Sequence, residues 1–364
     1  MSRLRELVVL LNERCNLRCD YCHFCAPQPP GHELSLESTS RAVGLFFEAA
    51  SHEPDLPRTL CFNADGEALL SRGTLTAALV QAARQRDRHG LSGVTIALVT
   101  NATLVDAAFA RRLARLGVAV TVSMDGASAC HDTHRRDVRG AGSHQAVIQG
   151  LAQLHRAGVP TSLRAVHSPQ TVGQLAQSWS ELRGHGPPRP VKLRPVRLPT
   201  PPWFEPAWAA QYTRAYRHAV RRMVRAGTPW QALPDRARHM AAWLVEGRRR
   251  ERPCSAGHAM LWLTPAGSLV PCGLLSRGPY SLGHIQDVPG LAELEALLDH
   301  PLSAALRDNA PALREPCRSC RWLPGCGGGC PVEALDEKLE PVPPPLCMLY
   351  RSLGELLEAE LRRS

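Results

Sequence analysis

The stretch Cys15-Asn16-Leu17-Arg18-Cys19-Asp20-Tyr21-Cys22 sets three thiols at CxxxCxxC spacing directly behind an apolar run, Leu7–Leu11, that reads as a strand. Three is an informative number. A structural zinc site closes with four ligands, whereas three cysteines on a 4Fe–4S cluster leave one iron open to bind something else. Zinc with His23 or Cys25 as fourth ligand is the alternative at this point. The loop's place matters too, because in parallel α/β folds active sites collect at the C-terminal ends of strands.

Working outward, short β-branched runs alternate with longer amphipathic stretches up to about residue 200. The strands are expected at Leu7–Leu11, Thr59–Asn63, Val94–Thr100, Val118–Ser123, Thr161–Val166 and Val191–Val196. Between them Leu36–Ala50, Thr74–His89, Val105–Leu116, His144–Ala157 and Val172–Arg183 have apolar stripes wide enough to cover a sheet face. Strand followed by helix, repeated in this way, implies a parallel sheet. The proline-rich stretch Pro187 to Pro206 marks a boundary, and helices follow at about Ala207–Arg225 and Pro234–Glu246. From Pro253 to Cys347 glycine, proline and cysteine dominate and helix signals are sparse, as in segments that need metal to fold. A last helix, Met348–Arg362, closes the chain. The expected organisation is 1–200, a helical linker 201–252, a cysteine-rich domain 253–347 and the terminal helix 348–364.

The 364 residues suggest about two domains at ~150 residues each. No apolar run approaches the ~20 residues of a membrane span, and Glu6 and Glu13 bracket the first apolar run with no small-residue cleavage site behind it. A cytoplasmic location is expected. Reduced thiols in that compartment make the 13 cysteines metal ligands or catalysts rather than disulfides. The net charge of +10 comes from a set of 43 Lys+Arg in which Lys192 and Lys338 are the lysines. Clusters such as Arg221-Arg222-Arg225 and Arg248-Arg249-Arg250-Arg252 read first as solvated faces, and 5% aromatics offer little stacking material for nucleic acid.

The CxxxCxxC loop with Tyr21 before its third cysteine resembles the radical S-adenosylmethionine (SAM) family. In that family the open iron chelates SAM, and a 5′-deoxyadenosyl radical removes a substrate hydrogen. Further motifs follow successive strands. Asn63-Ala-Asp-Gly66-Glu67 is similar to the family's Gly-Gly-Glu, with Asp65 in place of the first glycine, and implies that Glu67 meets the SAM amino group. Thr100-Asn101-Ala102 is similar to the ribose-contacting segment, through Asn101. Ser123-Met124-Asp125-Gly126 with His131-Asp132 and Arg135 resembles the Ser-x-Asp-Gly…His-Asp…Arg stretch of the peptide-modifying branch, which places Ser123 at the SAM carboxylate. Taken singly, Asn101 is also a helix cap and Asp125-Gly126 an ordinary turn.

The later cysteines form Cys254-x12-Gly267-x4-Cys272, then Cys317-x2-Cys320-x5-Cys326-x3-Cys330, then Cys347. This resembles the seven-cysteine SPASM pattern and implies two auxiliary 4Fe–4S clusters, hence three clusters in all. The family's crossed arrangement gives Cys254, Cys272 and Cys330 to an inner cluster and Cys317, Cys320, Cys326 and Cys347 to an outer one. The inner set has an open iron or a ligand from elsewhere; His258 is near in sequence, and paired zinc ribbons are the other reading. Cys25, Cys61 and Cys130 remain as bystanders.

Together the resemblances imply an α/β fold, a partial (β/α)6 TIM-type barrel with a C-terminal iron–sulfur domain. They imply an enzyme that oxidatively modifies or crosslinks a ribosomally made precursor peptide. A flavodoxin or ferredoxin would supply electrons. Since the core begins almost at residue 1, leader recognition would fall to the basic surface or a separate protein. Sulfatase maturation to formylglycine is the alternative, supported by Leu282-Gly283-His284-Ile285-Gln286-Asp287 and Trp322. That branch carries a catalytic-base aspartate directly after the second cysteine of the C-terminal set, and Gly273 stands there. Oxidation or epimerisation of an aminoglycoside-like small molecule, and a non-catalytic iron–sulfur or zinc protein, complete the alternatives. No acid or base is assigned by sequence.

Overall fold

The computed structural model describes residues 2–22, 31–185, 191–198, 204–251, 254–336 and 338–362. His23, Cys25 and parts of the Pro187–Pro206 stretch lie outside them. Along the chain run β1 (Glu6–Leu10), α1 (Leu36–Ser51), β2 (Arg58–Asn63), α2 (Arg72–Arg88), β3 (Val94–Thr100), α3 (Ala107–Arg115) and β4 (Val118–Ser123). Next come α4 (Ser128–His134), α5 (His144–Arg156), β5 (Thr161–His167), α6 (Leu175–Gly184), β6 (Lys192–Pro195), α7 (Pro206–Arg225) and α8 (Asp235–Glu246). The last part holds β7 (Met260–Leu263), β8 (Ser268–Val270), β9 (Gly283–His284), α9 (Leu291–Ala296), α10 (Pro301–Asp308), α11 (Leu323–Cys326) and α12 (Cys347–Leu361). The six expected strands are all present, within two residues at each end. Contacts divide the chain into two compact units that do not follow chain order.

The first unit comprises Met1–Ser123, Arg135–Thr161 and Ser255–Arg307. Its strands lie in the order β4-β3-β2-β1-β7-β8-β9. β1 pairs in parallel with β2 on one side and with β7 on the other, so Val8 stands beside both Cys61 and Trp262. Leu7, Val8, Val9 and Leu10 are accordingly all buried, the unbroken apolar run that a strand covered on both faces requires. Helix α1 packs on one of them. α1 buries Ala42, Val43, Phe46, Phe47, Ala49 and Ala50 along one stripe, and the Ser35 hydroxyl caps it by accepting from the Ser38 amide at 3.0 Å. Such a cap is worth about 1 kcal/mol. α3 is capped likewise, Asp106 accepting from the Phe109 amide at 2.7 Å.

β7 was not legible as a strand, since Met-Leu-Trp-Leu is too short to carry a period and β1 supplies its pairing. Through it the glycine- and cysteine-rich segment continues the sheet, and β8 and β9 extend it as antiparallel neighbours. The segment also holds short helices, α9 to α11, each under nine residues and thus without a readable stripe.

The second unit comprises Met124–His134, Ser162–Cys254 and Asp308–Ser364. Here β5 and β6 pair in parallel, Ala165 beside Leu193. α7 buries Trp208, Tyr212, Tyr216, Val220 and Met223 and packs on α12, which buries Leu349, Leu353, Leu356 and Leu357. Trp243 of α8 meets Trp322 edge-on, ring centres 6.0 Å apart, and so ties the cysteine loop to the helices. Among the described residues, no helix is long and apolar enough to cross a membrane.

Candidate active site

The first cysteine loop leaves β1 through Asn12, a fully buried amide that explains how the loop keeps its shape. Its Nδ2 donates to the Glu67 carbonyl at 3.1 Å and to Ser71 Oγ at 2.9 Å, and its Oδ1 accepts from the Arg14 amide at 2.9 Å. Farther on, the Arg18 amide donates to the Arg136 carbonyl and the Cys22 amide to the Cys19 carbonyl. Burial, then the charges of Glu67, Cys19 and Cys22, push the Cys15 thiol up to about 12. The three thiols and Glu67 therefore share one electrostatic neighbourhood. A bound metal would take these sulfurs as thiolates whatever their titration as free thiols.

The loop after β2 is pressed against this one. Gly66 has no room for a side chain, because a Cβ there would collide with the backbone of Arg14, and the Glu67 amide donates to the Arg14 carbonyl at 2.7 Å. Glycine is thus needed at 66 rather than at 65, where the backbone is not left-handed and Asp65 fits. Glu67 is 2% exposed. Its Oε1 accepts from Thr100 Oγ1 at 2.6 Å and from the Leu69 amide at 3.1 Å, and its Oε2 from the Asn101 amide at 2.7 Å. Burial still raises its carboxyl, against those donors and the Arg135 charge. Arg135 is buried in turn, its guanidinium 5.5 Å from the centre of the Tyr21 ring.

Asn101 is held locally. Its Nδ2 donates to Asn16 Oδ1 at 2.9 Å, while its Oδ1 accepts from the Thr103 amide at 3.0 Å and hydroxyl at 2.7 Å. The cap of α3 is Asp106, so Asn101 binds strand end to cysteine loop instead of capping a helix. Ser123 ends β4, half-buried. The structure thus joins Cys15, Cys19, Cys22, Glu67, Asn101, Arg135 and Tyr21 by direct contacts or shared charge. Sequence reading gave no role to Asn16 and Thr100, which stand inside the quoted motifs, and missed Asn12, three residues before the first of them. Asp125 in the second unit accepts from the Val166 amide at 2.8 Å, and its own amide donates to His131 Nδ1 at 3.2 Å. It is more than a bare turn residue.

In the second unit two cavities are lined by cysteine. One, of about 510 Å³, is bordered by all four of Cys317, Cys320, Cys326 and Cys347. The other, of about 210 Å³, is bordered by Cys254 and Cys330 as well as Cys317, Cys326 and Cys347, together with Arg194, Arg197, Arg236 and Arg250. Burial raises the Cys317, Cys326 and Cys347 thiols, and neighbouring cysteines add to the shift in each. Between Cys326 and Cys330 the backbone is left-handed at Gly327, Gly328 and Gly329, with φ of 74°, 92° and 79°. Only glycine takes three such steps in succession cheaply, which is why that spacer is all glycine. Arg197 pairs with buried Glu333 at 2.5 Å and Arg194 with Asp235 at 2.7 Å. Cys272 belongs to the first unit, just beyond β8. Cys61 is half-buried in β2 and Cys130 buried in α4.

These donor sets fit iron–sulfur clusters and a bound SAM. Comparison with known proteins agrees. Residues 9–178 match the Radical SAM superfamily. The chain is 25% identical over 328 residues to a serine-type anaerobic sulfatase-maturating enzyme of Klebsiella aerogenes, 87% of this chain and 77% of that protein. The solved structure of native anSMEcpe with bound AdoMet superposes with a TM-score of 0.77 at 17% identity, covering 98% of each chain. SuiB of Streptococcus suis, solved bound to its precursor peptide SuiA, superposes at 0.64 and 15% identity over 95% of this chain and 76% of its own. The α/β fold, an open partial barrel with a cysteine-rich C-terminal part, is shared with both. Residues 9–178 are thus a radical SAM domain, and the chain is a radical SAM enzyme related to the anaerobic sulfatase-maturating enzymes.

Proposed function

We propose that this enzyme oxidatively modifies a ribosomally made peptide, forming a crosslink or an equivalent two-hydrogen oxidation. Its radical SAM domain works with a 4Fe–4S cluster and SAM, which together supply a 5′-deoxyadenosyl radical for hydrogen abstraction. In this reading Cys15, Cys19 and Cys22 hold that cluster. Glu67 receives the SAM amino group, since a buried carboxylate fixed by three donors favours a cation over water. Asn101 faces the ribose and Ser123 the carboxylate, while Arg135 and Tyr21 close the side of the site. Cys254, Cys272 and Cys330 hold the inner auxiliary cluster and Cys317, Cys320, Cys326 and Cys347 the outer one.

The observation that carries the reading is the four-cysteine cavity with its smaller neighbour. A redox-neutral reaction has no use for further electron carriers. Net loss of two hydrogens does, because after the first leaves as an atom the second leaves as a proton and an electron. In this reading the partners are a precursor peptide and a reductant such as flavodoxin or ferredoxin, with the peptide recognised by the basic surface or by a separate protein. Anaerobic incubation with SAM, reductant and peptides encoded beside the gene is expected to lower one peptide's mass by two hydrogens. Unchanged masses throughout would overturn the proposal.

Formylglycine formation is the second reading, favoured by the sulfatase-maturating relatives. Against it stands Gly273, which meets the Trp262 ring where that branch has its aspartate. Conversion of a serine- or cysteine-containing sulfatase peptide would reverse the ranking.

A further inference from the structure

We infer that Asp65 is the proton acceptor of the oxidation, taking the proton that the substrate releases once its hydrogen atom has been abstracted. The inference rests on the oxidative reading above and holds for either peptide.

Its basis is a juxtaposition within the first unit. The Asp65 amide donates to the carbonyl of Asn12, three residues before Cys15, at 3.0 Å. Its Oδ2 accepts from Ser276 Oγ, four residues after Cys272, at 3.3 Å. Asp65 therefore bridges the loop that carries the radical-generating cysteines and the loop that carries an auxiliary-set cysteine, two residues from Glu67. Asp65 is 2% exposed, yet its Oδ1 has no hydrogen-bond partner. A buried carboxyl oxygen without a donor is destabilising, so it is retained against stability and is open to a ligand.

Residue 273 supplies no acid. A Cβ on Gly273 would lie 2.5 Å from the Trp262 ring, so that position is closed to a side chain. Asp65 meets the chemical need as well. Burial lifts its carboxyl to about 7, with Arg277 and Ser276 opposing and Glu13 adding to the rise. An acceptor poised near neutrality binds and returns a proton readily.

The substrate C–H bond gives its hydrogen atom to the 5′-deoxyadenosyl radical, yielding 5′-deoxyadenosine. The substrate radical then gives one electron to an oxidised iron–sulfur cluster and one proton to Asp65, and the new bond closes. Asp65 later passes the proton to water.

The test uses the cluster-loaded enzyme, SAM and a deuterium-labelled peptide, with Asp65→Asn, Asp65→Glu and Arg277→Gln. For Asp65→Asn, product per 5′-deoxyadenosine is expected to fall by about a hundredfold. Deuterium still appears in 5′-deoxyadenosine, and Asp65→Glu recovers part of the ratio. Arg277→Gln, which keeps the acid and removes the opposing charge, should move the rising limb of the product–pH profile to higher pH. An unchanged ratio in Asp65→Asn overturns the proposal, as does an unmoved limb in Arg277→Gln if Asp65→Asn loses its iron. If the wild type forms 5′-deoxyadenosine and changes no peptide, the peptide reading fails. The infrared carboxyl band of wild type minus Asp65→Asn then decides: absence of titration between about pH 6 and 8 overturns the role of Asp65 by itself.

Discussion

The backbone amide of Asn101 donates to Glu67 Oε2 at 2.7 Å, joining the ends of β2 and β3 through a carboxylate rather than through the ladder. With Thr100 and Leu69 on the other oxygen, the Glu67 side chain is fixed before any ligand arrives. Replacing it by glutamine sets a donor against a donor. If the amide oxygen keeps Thr100 and Leu69, the new NH2 faces the Asn101 N–H. Glu67→Gln is expected to weaken SAM binding about 10- to 100-fold, the loss of a charge-assisted hydrogen bond of about 1.5–3 kcal/mol. Calorimetric titration of the cluster-loaded variant checks this, and unaltered affinity would remove Glu67 from the SAM site.

How much of this was legible in the sequence depends on distance along the chain. The six strand-and-helix pairs were readable because each carries its own apolar period, as Phe46, Phe47 and Ala50 do on α1. Site motifs at strand ends were readable because CxxxCxxC or Gly66-Glu67 is local. What escaped was set by partners far away: β7 exists because β1 pairs with it, and Asp65 gains meaning from Ser276, 211 residues on. Asn12 escaped for another reason, since a lone asparagine beside a strand gives no sign that it will be fully buried and bonded on both ends.

Asp65 also gives a pH-dependent stability. Its folded carboxyl lies near 7 through burial, above the 3.8 of an unperturbed aspartate. Between those values the folded state holds a proton that the unfolded state has lost, so this group's contribution declines as pH rises from about 4 to 7. Asp65→Asn removes that decline. Relative to the wild type, the variant should gain roughly 2–3 kcal/mol on going from pH 5 to pH 8, read from anaerobic denaturant unfolding of both loaded proteins. A stability difference independent of pH would show that Asp65 ionises as an ordinary surface acid does.

The glycine spacer makes a paired prediction. At Gly328 a Cβ would stand 2.8 Å from the Ala312 amide nitrogen, with φ at 92°, whereas at Gly329 the nearest atom is Pro344 Cβ at 3.8 Å, with φ at 79°. Gly329→Ala therefore suffers only the left-handed backbone, about 1–2 kcal/mol. Gly328→Ala suffers that and a backbone collision that moves Cys326. Iron per chain is expected to drop from about 12 towards about 8 in Gly328→Ala and to hold in Gly329→Ala. Equal iron in both would mean that the spacer's shape does not set the thiol positions.

Trp262 and Gly273 allow a test of why no acid follows Cys272. Gly273→Asp forces its Cβ to within 2.5 Å of the Trp262 ring, and the ring is wedged, its Nε1 donating to Met260 Sδ at 3.0 Å. Overpacking of this kind costs about 1–3 kcal/mol, so the single variant should unfold at lower denaturant. Trp262→Ala alone removes a half-buried ring and destabilises by less than the roughly 3–5 kcal/mol of a fully buried tryptophan. Combined, the two should cost less than their sum by at least about 1 kcal/mol, because the side chain at 273 enters the space that the ring vacates. Strict additivity would show that the ring does not exclude a side chain at 273. The absence of an acid there would then be a matter of chemistry and not of packing.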